Sequence, residues 1–153
     1  MARKSATAKL HDSRNMPVIQ ELTDPKEIAR LGGPRMLIAP PLAYDRVMRQ
    51  VPYGMVMTAD TLRDHLAREH GADFTCPLTA GIFINIVAQA SAERGVDPTP
   101  YWRTLRRNGE LNEKYPDGID GHRALLEAEG LRVTQRGKRY FVQDLEQHRY
   151  APE

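Results

Sequence analysis

The spacing of apolar residues changes character near position 35. Residues 1–35 are polar and basic and are interrupted by Pro17, Pro25 and Pro34, with one short helical possibility in DPKEIARL. They read as a basic, partly disordered N-terminal arm. From MLIAPPLAYDRVMRQV onward the pattern tightens, and residues 36–150 read as one domain. Pro40 and Pro41 open a first helix whose apolar face is Leu42, Val47 and Met48.

After a turn and a short extended piece in VPYGMVMT, Thr58 stands where an N-cap belongs. Asp60 follows in the first turn, Leu62 and Leu66 share a face, and Gly71 stops the helix. GADFTC leads to a long helix, 77–94, with Pro77 at its first position. Its Leu78, Ile82, Phe83, Ile86 and Val87 at helical spacing predict a central core helix.

The segment TPYWRTLRRNGELN reads as an irregular loop. Asp117 caps a further helix, GIDGHRALLEAE, which Gly130 ends. The strands LRVTQ and KRYFV flank Arg136-Gly137 as a tight hairpin, and QDLEQHRY supplies a last helical turn. Helix, turn, helix, loop, helix and basic hairpin predict a mainly α fold, a winged helix-turn-helix with a short β-hairpin wing.

Composition narrows the function classes. At 153 residues, 41% hydrophobic and 27% charged, the chain has the make-up of an ordinary soluble domain. No apolar run approaches the ~20 residues of a membrane span. No apolar core follows the first basic residues, so no secretory signal is expected. A single cysteine, Cys76, excludes an internal disulfide framework and a multi-cysteine zinc site, and the expected location is cytoplasmic.

The net charge of +2 is unevenly spread. Arg3, Lys4, Lys9 and Arg14 stand against Asp12 alone. Arg103, Arg106 and Arg107 form a second group, and Arg132, Arg136, Lys138 and Arg139 a third. Such clusters suit phosphates, and equally a solvated face.

The candidate chemistry is sparse. Cys76 at a helix N-terminus is a candidate nucleophile, but no histidine lies near it in sequence to act as base. His65 and His70 are five apart, on different helix faces, and make no metal pair. No phosphate-cradling glycine loop or serine elbow occurs, so neither a cofactor nor a metal is expected. Helix 77–94 has no Lys or Arg before Arg94, which argues against guanine readout in the major groove. Its small or neutral Thr79, Ala80, Asn85 and Gln89 suit close approach to a narrow groove, or an ordinary solvated face.

Several landmarks follow one another in order. They are Gly-x-Val-x-Thr before the first of the paired helices, Gly81, Pro100-Tyr101-Trp102-Arg103, Asn108-Gly109-x-Leu111, and Gly118 ahead of HRALLEAEG. On these, residues 52–130 resemble the DNA-binding domain of alkylguanine-DNA alkyltransferases and their alkyltransferase-like relatives. The repair enzymes carry Pro-Cys-His-Arg-Val, whose cysteine accepts the alkyl group with help from the histidine. Here those positions are Tyr101 and Trp102. A phenol with a pKa of about 10 and no imidazole beside it is a poor acceptor.

The resemblance therefore implies a non-catalytic DNA-binding protein, one that senses alkylated guanine for repair. The family's arginine finger is matched by Leu78, and the aromatic that helps rotate the phosphate by Ala59. The expected DNA-contacting residues are Thr58, Thr79, Asn85, Arg103, Arg106, Arg107, Arg136, Lys138 and Arg139, with Leu78, Tyr101, Trp102 and Glu129 lining the pocket. The expected partner is double-stranded DNA held by its backbone, with a further repair protein, and the expected state is a monomer. Two alternatives stay open: an enzyme using Cys76 as alkyl acceptor, and a transcriptional or interaction module reusing the fold.

Overall fold

The structure is a computed structural model that describes residues 4–153, so Arg3 of the first basic group lies outside the described residues. The element order is α1 (Ala6–Leu10), β1 (Val18–Glu21), α2 (Pro25–Leu31), β2 (Arg35–Ile38), α3 (Pro41–Met48), β3 (Met57–Thr58), α4 (Ala59–Glu69), β4 (Phe74–Thr75) and α5 (Pro77–Arg94). A 3-10 turn (Tyr101–Arg103), β5 (Thr104–Leu105), a second 3-10 turn (Arg107–Gly109), α6 (Gly118–Ala128), β6 (Val133–Arg136), β7 (Arg139–Val142) and α7 (Leu145–His148) complete it. Among the described residues the fold is mainly helical, with three small sheets.

The segment expected as an arm is built into this fold. Ser5 caps α1 through the Ala8 amide, and Glu93 of α5 accepts from the amides of Ala6 and Thr7 and from the Thr7 hydroxyl at 2.8–3.0 Å. Leu10 is buried in the core. Asp24 caps α2 through the Lys26 amide. β1 runs antiparallel to β2, with Val18 opposite Ile38, and β2 runs parallel to β4, with Met36 opposite Phe74. The few apolar residues of this segment follow no period. What orders them is contact with α5 and β2, distant in sequence.

Among the described residues, two apolar clusters form the interior. One gathers Leu37, Tyr44, Val47, Met48, Leu62, Leu66, Ile84 and Val87 around α3, α4 and α5. The other gathers Val56, Leu105, Leu111, Leu126, Leu131 and Val142 under α6 and the hairpin. Trp102 packs against both. The parallel pair β3–β5, Met57 to Thr104 and Thr58 to Leu105, ties the front of α4 to the 101–105 segment.

Several local expectations shift by a residue or a face. α3 buries Tyr44 along with Val47 and Met48, while Leu42 is exposed. α5 buries Ala80, Ile84, Val87, Ala88 and Ala90, whereas Leu78 and Ile82, expected in the core, are exposed. This helix is apolar on every side, so spacing alone did not choose its inner face. Thr58 and Asp117 precede α4 and α6, but neither side chain caps; Asp117 is left-handed at φ 63°. The hairpin turns at Gly137-Lys138, one residue later than expected, because Arg136 already pairs with Arg139.

Candidate nucleic-acid interface

A groove of about 520 Å³ opens between the start of α4, the first turns of α5 and the 105–115 segment. Its floor includes Ile84, Leu105 and Tyr115, and one wall is Pro77, Leu78, Gly81 and Ile82. Arg63, Arg106, Arg107 and Lys114 line it as well. A second cleft, of about 250 Å³, begins where the first ends. Arg106 and Glu113 belong to both, and Lys138 and Arg139 extend the line of cations onto the hairpin. Among the described residues, no carboxylate lies within ion-pairing distance of Arg63, Arg106, Arg107, Lys114 or Lys138, and Arg139 is 3.8 Å from Glu110.

Local backbone geometry presents the arginines. Asn108 and Gly109 both take positive φ, 64° and 83°, which these residue types tolerate at little cost. They reverse the chain so that the Arg106 amide donates to Glu110 O at 2.8 Å and the Leu111 amide to Tyr140 O at 2.9 Å. Arg106, Arg107 and Asn108 are left exposed at the tip.

A buried polar chain holds the groove floor. The Asn112 amide donates to His122 Nδ1 at 3.1 Å, and His122 Nε2 therefore carries the hydrogen and donates to Trp102 O at 2.8 Å. The Asn112 side chain donates to Asn85 Oδ1 of α5 at 2.9 Å and accepts from the Lys114 amide at 2.9 Å. Burial pushes the His122 pKa down to about 4, against the Trp102 carbonyl, which favours the protonated ring.

Tyr101 and Trp102 do not line the groove. Tyr101 is 7% exposed, with its ring edge-on to Trp102 at 5.3 Å and to Tyr115 at 5.1 Å. Burial first, and then the nearby Asp117 carboxylate, raise its phenol above the ordinary range, so it stays protonated. The Tyr115 hydroxyl is spent on Thr104 O at 2.8 Å.

Trp102 donates from Nε1 to Glu129 Oε2 at 2.7 Å. The same carboxylate takes two prongs of the Arg103 guanidinium at 2.9–3.1 Å and the Gly54 amide at 2.8 Å. The side chains of Arg103 and Glu129 are 14% and 5% exposed. Burial alone would raise the Glu129 carboxyl; the bonds from Arg103, Gly54 and Trp102 outweigh it and hold the group below the usual range.

These contacts redistribute the expected site residues. Arg103 is not available to a phosphate: it is clamped to Glu129 and donates a further bond to Val51 O at 2.8 Å. Thr58 is fully buried against Thr61 and Arg149, and the Thr79 hydroxyl turns back to Cys76 O. Arg136 lies 3.9 Å over the Phe141 ring and lines neither cavity. Tyr101, Trp102 and Glu129 do not line the groove, leaving Leu78 as the expected pocket residue that does. Asn85, Arg106, Arg107, Lys138 and Arg139 do come together along the two cavities. Cys76 is half-buried ahead of α5 and is not on the groove wall.

Arg63, Asn112, Lys114 and His122 shape the site without a signal of their own in the sequence. The two cations stand apart from any basic run, and nothing in the local pattern marks Asn112 or His122.

The clamp and the polar chain have measurable consequences. Arg103→Ala strands a buried carboxylate and is expected to lower unfolding stability by about 3 kcal/mol in urea titration. Arg103→Lys loses less, and a neutral result for Arg103→Ala would remove the clamp's structural role. For His122, an unfolded imidazole with a pKa near 6.5 takes its proton before the folded one. Its contribution is therefore full above pH 6.5 and falls as the pH drops toward 4, by about 3 kcal/mol in all. Unfolding free energies over that window should show this drop in the wild type, and His122→Gln should lack it.

No family model matches the chain, and no curated protein matches it. Solved structures do match. S. pombe Atl1 in complex with damaged DNA containing O6-carboxymethylguanine is 19% identical, over 73% of this chain and 94% of that one, at a TM-score of 0.49. S. pombe ATL in complex with DNA is 19% identical over the same shares, at a TM-score of 0.55. At that identity the second likeness is one of fold. The chain thus has the fold of an alkyltransferase-like protein, as the order of its landmarks leads one to expect.

Proposed function

We propose that this chain is a non-enzymatic, alkyltransferase-like protein that binds duplex DNA through the phosphate backbone. One observation carries this reading. Six cations, Arg63, Arg106, Arg107, Lys114, Lys138 and Arg139, line two adjoining cavities that share Arg106, and among the described residues Arg139 alone of the six has a carboxylate, Glu110 at 3.8 Å, within ion-pairing distance. Unpaired guanidinium and ammonium groups in a row gain from a polyanion that releases its counterions. The shared fold supports the choice of DNA, since S. pombe ATL was solved in complex with it. In this reading the α4–α5 pair is the helix-turn-helix, α5 faces the minor groove, and the β6–β7 hairpin is the wing. The protein acts as a monomer, and alkylated guanine is among the lesions it senses for repair.

The absence of alkyl transfer rests on Tyr101. A buried phenol, with its pKa raised and Trp102 where the family has its histidine, offers no nucleophile to a bound alkyl group.

Binding to a labelled duplex should weaken linearly on a log–log salt plot, with a slope of about −0.9 per phosphate contact. Charge removal in Arg106→Ala/Arg107→Ala should make that slope shallower by about two contacts' worth. An affinity indifferent to salt would sink the proposal. Incubation with DNA carrying O6-alkylguanine should leave the intact protein mass unchanged; a stable adduct would overturn the non-enzymatic reading, and its loss in Cys76→Ser would locate the acceptor.

A further inference from the structure

We infer that the second cleft holds one unpaired nucleotide, so that the protein selects junctions where a single strand leaves the duplex. This rests on duplex DNA being the partner of the cationic groove. The cleft has a volume of about 250 Å³ and is lined from the 106–113 loop, the start of α6 and the β6–β7 hairpin, with no residue of α4 or α5. That is room for one nucleotide and too little for a nucleotide pair, so a continuing duplex does not enter it.

The lining carries charges of both signs that do not satisfy one another. Among the described residues, Arg106 and Lys138 have no carboxylate within ion-pairing distance, and Glu113 has no cation within it. Arg139 and Glu110 approach each other only to 3.8 Å. The backbone that carries these groups is tied down. The Arg106 amide donates to Glu110 O at 2.8 Å and the Leu111 amide to Tyr140 O at 2.9 Å, while a Cβ at Gly109 would stand 3.2 Å from Leu145 of α7.

A ligand that completes such a cleft has an anionic group at one end and N–H donors at the other. A nucleotide has that form. Its phosphate accepts from Arg106 and Lys138, and an amino group of its base donates to Glu113. Tyr140 and Ile119 line the same cleft and offer an aromatic and an apolar surface to the base and sugar. Single strands are held in this way, by cations along the backbone and aromatics at the bases.

Continuity with the groove selects a nucleic acid over another ligand with the same two ends. Arg106 and Glu113 line both cavities. A strand leaving a duplex seated in the groove passes Arg106 and meets Lys138 and Arg139 next. The carboxylate then sets the base preference. An ionised Glu113 only accepts, so it suits the amino group of cytosine or adenine, whereas thymine has none and turns carbonyl oxygens toward it.

The test compares one blunt duplex, the same duplex longer by one base pair, and the duplex extended at a strand end by one unpaired deoxycytidine or thymidine. Fluorescence anisotropy gives the affinities, first at fixed salt and then across a salt series. The deoxycytidine extension is expected to bind about tenfold tighter than the blunt duplex, the lower end of what one stacked base contributes. The added base pair should gain nothing. The salt slope should steepen by about 0.7 for the one single-strand phosphate. The thymidine extension should bind about fivefold more weakly than deoxycytidine, the lower end of base-edge discrimination. Lys138→Ala, at an exposed position, should bring the extended-to-blunt ratio close to one. Glu113→Gln, also exposed, should bring the two extensions to equal affinity, because an amide both donates and accepts.

Equal wild-type affinities for blunt and extended duplexes would overturn the inference. A preference that survives Lys138→Ala would place the nucleotide elsewhere and overturn it too. Thymidine bound as tightly as deoxycytidine by the wild type would remove Glu113 from the site and with it the fit. Steep salt dependence without any preference for an extension sinks this inference alone, whereas salt-independent behaviour on all duplexes sinks the DNA-binding reading with it.

Discussion

The arrangement of the molecule depends on one buried carboxylate. Glu129, just past α6, accepts from the Arg103 guanidinium, the Trp102 indole and the Gly54 amide, three groups drawn from two other parts of the chain. A carboxylate this deeply enclosed is tolerable only with its lone pairs filled by strong donors, and a bidentate arginine with two further N–H groups fills them. Because Trp102 also packs against both apolar clusters, the bond it makes to Glu129 sets how the two halves of the interior meet. The same bonds withdraw Arg103 from the surface. Phosphate contact is left to arginines farther along the loop.

A second buried group arranges the groove. His122, kept neutral by burial, connects the Trp102 carbonyl to the Asn112 amide, and Asn112 in turn reaches Asn85 on α5. The groove floor is thereby joined to the clamp behind it through a chain of hydrogen bonds. Tyr101 fills the space between, edge-on to Trp102 and Tyr115. Tyr101 is part of the packing, while the outer face keeps the cations and an exposed leucine. Such a surface is suited to holding a partner.

Much of this was legible along the chain where one residue type has one strong meaning. Pro41 and Pro77 open helices, Gly71 and Gly130 follow helix ends in the left-handed region, and Asn108-Gly109 makes the sharp reversal that exposes Arg106 and Arg107. The order of landmarks from Gly54 to Gly130 pointed to the fold that S. pombe ATL shares. The site was less legible. Arg103 and Arg106 look alike in sequence, yet one meets a buried carboxylate 26 residues away and the other meets solvent. Leu78 looks like core because α5 is apolar all round, and only the position of α1 and α3 against that helix decides which side is inside.

The sequence by itself determined the helices from α2 onward, the hairpin to within one residue and the basic loop, because each depends on residues within a turn or two of one another. Tertiary structure decided which cations are free, which face of α5 is bare, and that residues 4–35 fold onto the domain. Those outcomes depend on partners far away in sequence: Glu93 for α1, β2 for β1, Glu129 for Arg103. Burial and ion pairing act between surfaces that come together only when the chain is folded, so no local pattern records them.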